Sequence, residues 1–315
     1  MSTATRQASP GVGTSLRRAR PRYGERVIEA VLFLAALVSV ATTVGIVIAI
    51  IGPTASFFRQ PVVDVVDFFT GTEWTALFAE SQQRFGILAL ISATVTTTAI
   101  AVAVAIPLGV GAAIYLSEYA SPRVRKVLKP TLEVLAGIPT VVFGFFALTF
   151  FTPVVLQAFL PVGTFNMLSA GLIMGIMIIP TVASLSEDAM TAVPQSLRDG
   201  AYGLGSTKMQ VATRVVVPAA VSGIVAAFVL AISRAVGETM IVALASGQNA
   251  HFSFNPLEDG QTMTGFIAQA ASGDQPVGSI GYQSLFAVAT VLFGLTLLMN
   301  LFSIRLVRRL REVYE

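Results

Sequence analysis

The sequence predicts an all-α polytopic membrane protein with six transmembrane helices, and three observations carry that prediction. Of 315 residues, 54% are hydrophobic and only 12% are charged, about half the charged share of soluble globular chains. The apolar residues gather into six runs near 27–52, 87–116, 132–152, 167–186, 219–245 and 284–304. Each has about the 20 residues that a helix needs to cross a hydrocarbon core. The basic residues, finally, alternate from one connecting segment to the next. One side would hold Arg6, Arg17, Arg18, Arg20, Arg22 and Arg26, then Arg123, Arg125, Lys126 and Lys129, then Arg198, Lys208 and Arg214, then Arg305, Arg308, Arg309 and Arg311. The other side would hold only Arg59 and Arg84. The positive-inside rule then places both termini in the cytoplasm, as an even number of crossings requires.

Residues 1–24, rich in Arg, Ser, Gly and Pro, read as a flexible cytoplasmic tail near the anionic inner leaflet. The first apolar run exceeds the 7–15 residues of a cleaved signal, so residues 25–86 read as a retained first transmembrane helix and an external loop. Residues 87–304 form the transmembrane core, with a cytoplasmic loop at 187–218, and residues 305–315 a cytoplasmic C-terminal tail. Within the spans, Pro107, Pro139 and Pro180 remove backbone donors and bend helices, while Gly171 and Gly175 let two helices approach closely. Thr94, Thr97 and Thr98 share one face of the second span. They either line a polar path or bond to neighbouring helices.

Arg234 is the one basic side chain within a span. An ionisable group at membrane depth costs about 2.5–3.5 kcal/mol on insertion scales and normally faces a partner or a water-filled path. It lies about 24 Å beyond Pro218, toward the external half of its helix, and Glu238 at i+4 is expected on the same face. Two readings stand: an anion contact that Glu238 neutralises while the path is empty, or an ion pair that only fastens an interface.

The segment from Ser196 to Pro218 is expected to form a helix-turn-helix broken at Gly203 and Gly205 and stopped before Pro218. Its Asp199-Gly200-Ala201, Gly205, Val215 and Val217-Pro218 resemble the cytoplasmic pattern of bacterial ABC importer permeases, which reads Glu-Ala-Ala, three residues, Gly, nine residues, Ile-x-Leu-Pro. Asp replaces Glu, Gly the first Ala, and Val both Ile and Leu. Within that family the chain is similar to phosphate importer permeases of the PstC type. The likeness runs through Phe68-Phe69-Thr70-Gly71-Thr72-Glu73-Trp74, Ala136-Gly137-Ile138-Pro139-Thr140, Ile179-Pro180-Thr181 and Arg234-Ala235-Val236-Gly237-Glu238-Thr239-Met240.

The resemblance implies the ABC importer type I permease fold in a bacterial inner membrane. It also implies a heterodimer with a homologous second permease subunit, two copies of an ATPase subunit, and an external phosphate-binding protein that docks on loops 53–86 and 246–283. Arg198, Asp199, Gly200, Ala201, Gly205 and Pro218 would then belong to the loop that couples to the ATPase. Arg234, Glu238, Thr94, Thr97 and Thr98 would lie along the path of inorganic phosphate.

The residues agree in what they lack. No Gly-Lys pair occurs, so there is no P-loop; this chain is expected to bind no cofactor, and ATP is used by the partner ATPase. A single histidine, His251, and no cysteine exclude His-x-x-x-His metal sites, histidine triads and thiolate chemistry. The pI of about 9.4 would fit nucleic acid, but the basic residues sort by membrane side, so lipid and not nucleic acid is the expected contact. Two alternatives are an ABC permease for another oxyanion and an ion-coupled secondary transporter, the latter lacking here the internal repeats such proteins show.

Overall fold

The computed structural model describes residues 23–273 and 275–310. The flexible tail expected over 1–24 lies outside the described residues up to position 22, as do positions 311–315 of the expected C-terminal tail. Every regular element is helical. Among the described residues, extended pairing is confined to two isolated bridges, Glu73 with His251 and Trp74 with Phe85.

The chain divides into two units, Met1–Ala49 and Ile50–Glu315. Helix α1 (Tyr23–Phe58) gives the first unit an apolar helix whose Val31, Leu32, Phe33 and Ile48 are exposed. A helix with no polar face is stabilised by lipid and not by water. The second unit contains α2 (Val65–Thr70), α3 (Leu88–Tyr119), α4 (Pro122–Ala136), α5 (Thr140–Leu156) and α6 (Met167–Thr191). There follow α7 (Gln195–Gly203), α8 (Lys208–Ala219), α9 (Val221–Val236), α10 (Met240–Ala245), α11 (Met263–Ser272) and α12 (Ile280–Leu310). Helices α1, α3, α6 and α12 are each long and apolar enough to cross a membrane, and the bent pairs α4–α5 and α8–α9 bring the spans to six.

Two of the expected spans are not single helices. The run 132–152 breaks at Gly137–Pro139, where α4 and α5 meet at 84°. Gly137 ends α4, and Ile138, preceding a proline, is driven out of the α region. Helix α4 has no buried residue; its Arg125 and Lys129 reach Glu187 on α6, while Val127 and Val134 point away, exposed. The run 219–245 likewise bends by 72° at Ala220 and stops at Gly237, after which α10 begins anew. An average over either run does not mark its bend, because the residues next to each break are mostly apolar, although α4 further back carries Arg123, Arg125, Lys126 and Lys129. Arg305, Arg308 and Arg309, expected in the C-terminal tail, continue α12.

The core forms where α3 crosses α6. A Cβ on Gly171 would lie 2.7 Å from the Ile100 Cβ and 3.1 Å from the Thr97 carbonyl, and one on Gly175 would lie 3.0 Å from the Ala101 carbonyl. Lipid supplies no hydrophobic drive between helices, so close backbone approach and packing must hold them. Ala101, Ala105, Met174 and Ile178 continue this core to Ala231 and Ala235 of α9 and Ile241 of α10. A second core, apart from it, gathers Phe57, Phe68, Trp74, Phe85 and Phe266 edge to face, an arrangement that adds about 0.5–1.5 kcal/mol per pair beyond burial. Beside it, hydrogen bonds from Ser253, Asn255 and His251 hold the Glu258 carboxyl below its ordinary value.

Substituting Gly171→Ala is expected to lower the thermal midpoint of the purified protein by several degrees, an overpacking cost of about 1–3 kcal/mol. Gly111→Ala on α3, with nothing within 4 Å of the added Cβ, is the control. Equal midpoints for the two variants would remove close helix approach as the packing constraint.

Candidate functional site

The loop between α6 and α9 folds as a hairpin, and its sequence dictates each step. Helix α7 starts after Pro194 and ends in a Schellman turn: Gly205 N–H donates to the Tyr202 carbonyl (2.9 Å) and Ser206 N–H to the Ala201 carbonyl (3.1 Å). Gly205 takes φ +81°, the left-handed conformation that such a turn requires. Nothing lies within 4 Å of a Cβ placed there, so the glycine serves backbone conformation and not close packing. Thr207 and Gln210 then start α8 with a reciprocal capping box, satisfying two amides that the helix start leaves without partners. The chain does not stop before Pro218; Pro218 sits in the last turn of α8, where it removes one backbone donor, and the break falls two residues later at Ala220.

Arg198 turns inward instead of toward solvent. Only 8% exposed, it donates to the Met190 and Val193 carbonyls at the end of α6 and to Glu118 at the end of α3, the last at 3.1 Å. It therefore fastens the hairpin to the bundle. Lys208, from the other arm, lies 5.0 Å from the centre of the Tyr119 ring, within cation–π range. Nearby, the fully buried Glu187 is held by Arg125, by Lys129 at 2.6 Å and by Thr191 at 3.0 Å. Glu118, Arg125, Arg198 and Lys208 together border a cavity of about 330 Å³. Reading the sequence missed Glu118 and Glu187; the signal was a carboxylate at the end of an otherwise apolar run, next to a basic segment.

Facing away from the bundle are Asp199, bonded to Gln195 at 3.0 Å, the open backbone at Gly200, and the exposed apolar side chains of Tyr202, Leu204 and Met209. Ala201 is half-buried between the two faces. Leu204 is 90% exposed, an apolar knob at the hairpin tip.

Arg234 and Glu238 do not pair. Helix α9 ends at Val236 with Gly237 as its cap, so four residues of separation no longer mean one face of one helix. Arg234 lies in the last turn, about 20 Å from the start of α9, half-buried, with one hydrogen bond to the Thr181 hydroxyl at 3.3 Å. Among the described residues no carboxylate forms an ion pair with it. Thr181 follows Pro180 inside α6, so the contact joins two helices at a point where one lacks a backbone donor. Glu238 is buried and accepts from the Met240 and Ile241 amides, capping α10, where a negative charge complements the helix dipole.

The threonines of α3 are buried between helices. Thr94 accepts from the Met263 amide at 3.0 Å and Thr97 donates back to the Ala93 carbonyl, so both are satisfied within the packing. The Thr98 hydroxyl is buried without a partner among the described residues. Of the two readings the sequence left open, interhelical bonding describes Thr94.

Residues 105–312 match the family described as binding-protein-dependent transport system inner membrane component. The chain belongs to this family. Probable ABC transporter permease protein YqgH of Bacillus subtilis is 33% identical over 264 residues, 84% of each chain. The phosphate transport system permease protein PstC of Xylella fastidiosa is 30% identical over 326 aligned positions, covering 96% of this chain and 94% of that one. Among solved structures, a bacterial ABC transporter involved in the import of the acidic polysaccharide alginate superposes with a TM-score of 0.61 at 17% identity, over 93% of this chain and 100% of that one. The inward-facing MetNI methionine ABC transporter gives 0.54 at 18% identity, over 72% and 95%. The fold is that of an ABC importer type I permease, and the chain is a membrane component of a transport system and not an enzyme.

Gly205→Val forces a β-branched residue into the left-handed region, a strain of about 1–2 kcal/mol. Uptake by the assembled transporter is expected to fall while membrane insertion persists, and Gly205→Asn, which tolerates this conformation, is expected to restore it. Equal uptake by the Val and Asn variants would remove the turn from the coupling element. Glu118→Gln is expected to raise amide exchange across 195–211 at least about tenfold, since stranding one member of a buried pair is strongly destabilising.

Proposed function

We propose that this chain forms half of the translocation pathway of an ATP-driven phosphate importer, and that the single observation carrying the reading is Arg234. A half-buried guanidinium in a membrane-spanning helix, with one neutral partner and no counter-ion among the described residues, keeps most of its five N–H donors for an incoming anion. Its planar fork matches phosphate oxygens in pairs. The phosphate transport names of the relatives support that cargo.

In this reading both termini and the α7–α8 hairpin lie in the cytoplasm, and loops 59–86 and 246–283 face outward toward a phosphate-binding protein. The second permease subunit is homologous and not identical, and two ATPase copies dock on the hairpins, with Leu204 and Met209 as the apolar anchors of the contact. ATP is used there and not by this chain. ATP-driven closure displaces the hairpin, and because Arg198 and Lys208 bind it to the ends of α3 and α6, these spans move with it. The cavity between the permeases then opens inward, and phosphate leaves Arg234 unchanged in its covalent chemistry.

Two measurements test this. Arg234→Gln in the assembled complex is expected to cut labelled phosphate uptake at least about tenfold, as the loss of a hydrogen bond to a charged group predicts, with assembly intact. Near-normal uptake at matched protein levels would remove the anion contact. Because the chain has no cysteine, Val277→Cys and Leu204→Cys, 86% and 90% exposed in the native residues, report orientation cleanly. An impermeant thiol reagent is expected to label the first from outside and the second only after the membrane is opened; the reverse pattern would invert the topology.

A further inference from the structure

Helix α4 buries no residue against the bundle, yet one of its faces is apolar. Val124, Val127, Leu128, Thr131, Val134 and Leu135 recur at the spacing of a single helix face, with Val127 65% and Val134 72% exposed. Thr131 returns its hydroxyl to the Val127 carbonyl at 2.8 Å, so no side chain on this face asks for an outside hydrogen bond. The opposite side is basic. Arg125 and Lys129 bind Glu187 of α6, and Lys129 also binds Asp188 at 2.5 Å. Arg123 and Lys126 are exposed and pair with nothing among the described residues. Arg123, four positions before Val127, stands at the margin of the apolar face.

The backbone sets this helix at the surface of a membrane. Helix α5 alone extends about 25 Å, close to the roughly 30 Å of a hydrocarbon core, so α5 makes the crossing without help from α4. The 84° turn between them then lays α4 near the membrane plane. It joins the end of one span, α3, to the start of the next, with Ser121 capping its first turn, and so runs at the level where the hydrocarbon ends. Pro130 lies inside α4 and offers no amide to the Lys126 carbonyl. Within hydrocarbon an unbonded carbonyl is costly; among headgroups, water reaches it.

We propose that α4 is a lipid-binding element, whose apolar face packs on the acyl chains of the leaflet on the hairpin side while Arg123 and Lys126 hold the headgroups of anionic phospholipids. Basic amphipathic helices bind membranes through this combination of apolar area and charge, and long basic side chains reach from an apolar face to the headgroup layer. Two cations without partners beside an apolar face select a lipid of net negative charge over a neutral one. Through Arg125, Lys129 and Glu187 the same contact anchors the end of α6 from which the hairpin hangs. The proposal rests on the reading of the hairpin side as cytoplasmic, where the anionic leaflet lies.

Trp74 is the only tryptophan of the chain, so a second one can be followed. In the assembled transporter, Val127→Trp sets an indole on the apolar face, and the complex with native Val127 supplies the background emission. Nanodiscs carry brominated phosphatidylglycerol or brominated phosphatidylcholine at equal fractions. Both are expected to quench the new indole, with phosphatidylglycerol associating at least about fivefold more strongly, the ratio that about 1 kcal/mol for one basic residue at an anionic surface gives. Adding Arg123→Gln with Lys126→Gln is expected to abolish that preference and leave the quenching. Val134→Trp, on the same face, repeats the measurement at a second site. Absence of quenching by either lipid at both sites means that water or a protein covers the face, and overturns the proposal. Equal quenching by the two lipids with the native charges in place overturns the anionic contact, and a preference that survives the double change overturns the roles of Arg123 and Lys126. Both leaflets of a nanodisc have one composition, so none of these results depends on which side is cytoplasmic. Labelling of Leu204→Cys from outside would overturn that orientation, while a phosphatidylglycerol preference would still support the lipid contact.

Discussion

At the end of α6 the Met190 carbonyl, which also takes the Val193 amide at 3.2 Å, and the Val193 carbonyl beyond it are met by the Arg198 guanidinium from α7, which pairs at the same time with Glu118 at the end of α3. Buried carbonyls and a buried carboxylate are each costly when left alone; one planar side chain with donors on three nitrogens satisfies all of them at once. Removing Arg198 takes a donor from all three acceptors at once, so the ends of α3 and α6 and the hairpin form one mechanical piece. The wide turn of residues 115–119, where the Ala120 amide reaches back to Tyr115, brings Glu118 and Tyr119 to bear on both arms of the hairpin. Glu187 adds α4 to the same block through Arg125 and Lys129.

What this block does not contain is equally defined by backbone chemistry. Helix α5 departs from α4 at 84° across Gly-Ile-Pro, and α9 departs from α8 at 72°. At each junction the helical hydrogen bonds are interrupted while the chain continues, so a displacement of the basic block reaches α5 and α9 as a rotation about a short link and not as a push along a rigid rod. Packed interfaces switch between discrete arrangements more readily than they deform. The glycine contacts of Gly171 and Gly175 tie α6 closely to α3, and Gly223 of α9, whose added Cβ would lie 2.5 Å from that of Ala189, ties α9 to the end of α6 as closely.

The number of spans and the fold class could be read from the chain because they follow from summed hydrophobicity and from where the basic residues fall, quantities that survive errors of several residues. The two bends were legible only in part: Pro139 was expected to bend its helix but not by 84°, and the break at Ala220 was expected two residues early, before Pro218. Gly205 could be placed by spacing and by the rarity of other residues at positive φ. Arg198 could not be given its direction: a basic residue in a basic loop looks solvated until Glu118, 80 positions earlier, is brought beside it. The expected Arg234–Glu238 pair failed for a local reason. The inference assumed a helix through residue 238, and Gly237, one position earlier, was the helix stop already present in the sequence.

The separation of that pair alters what Arg234 can do. A guanidinium neutralised by a carboxylate would have to exchange one anion for another, and each exchange would leave a buried charge alone at some moment. In the structure the two charges are stabilised separately: Glu238 by the amides at the start of α10, and Arg234 by its position in the last turn of α9, where the helix dipole presents about half a negative charge. Partial charges of this kind are fixed in the backbone and do not have to leave when substrate arrives. They lower the cost of holding a cation within the membrane without cancelling its charge. In the proposed reading Arg234, with no carboxylate paired to it among the described residues, therefore stands ready between transport events to attract an oxyanion when one comes.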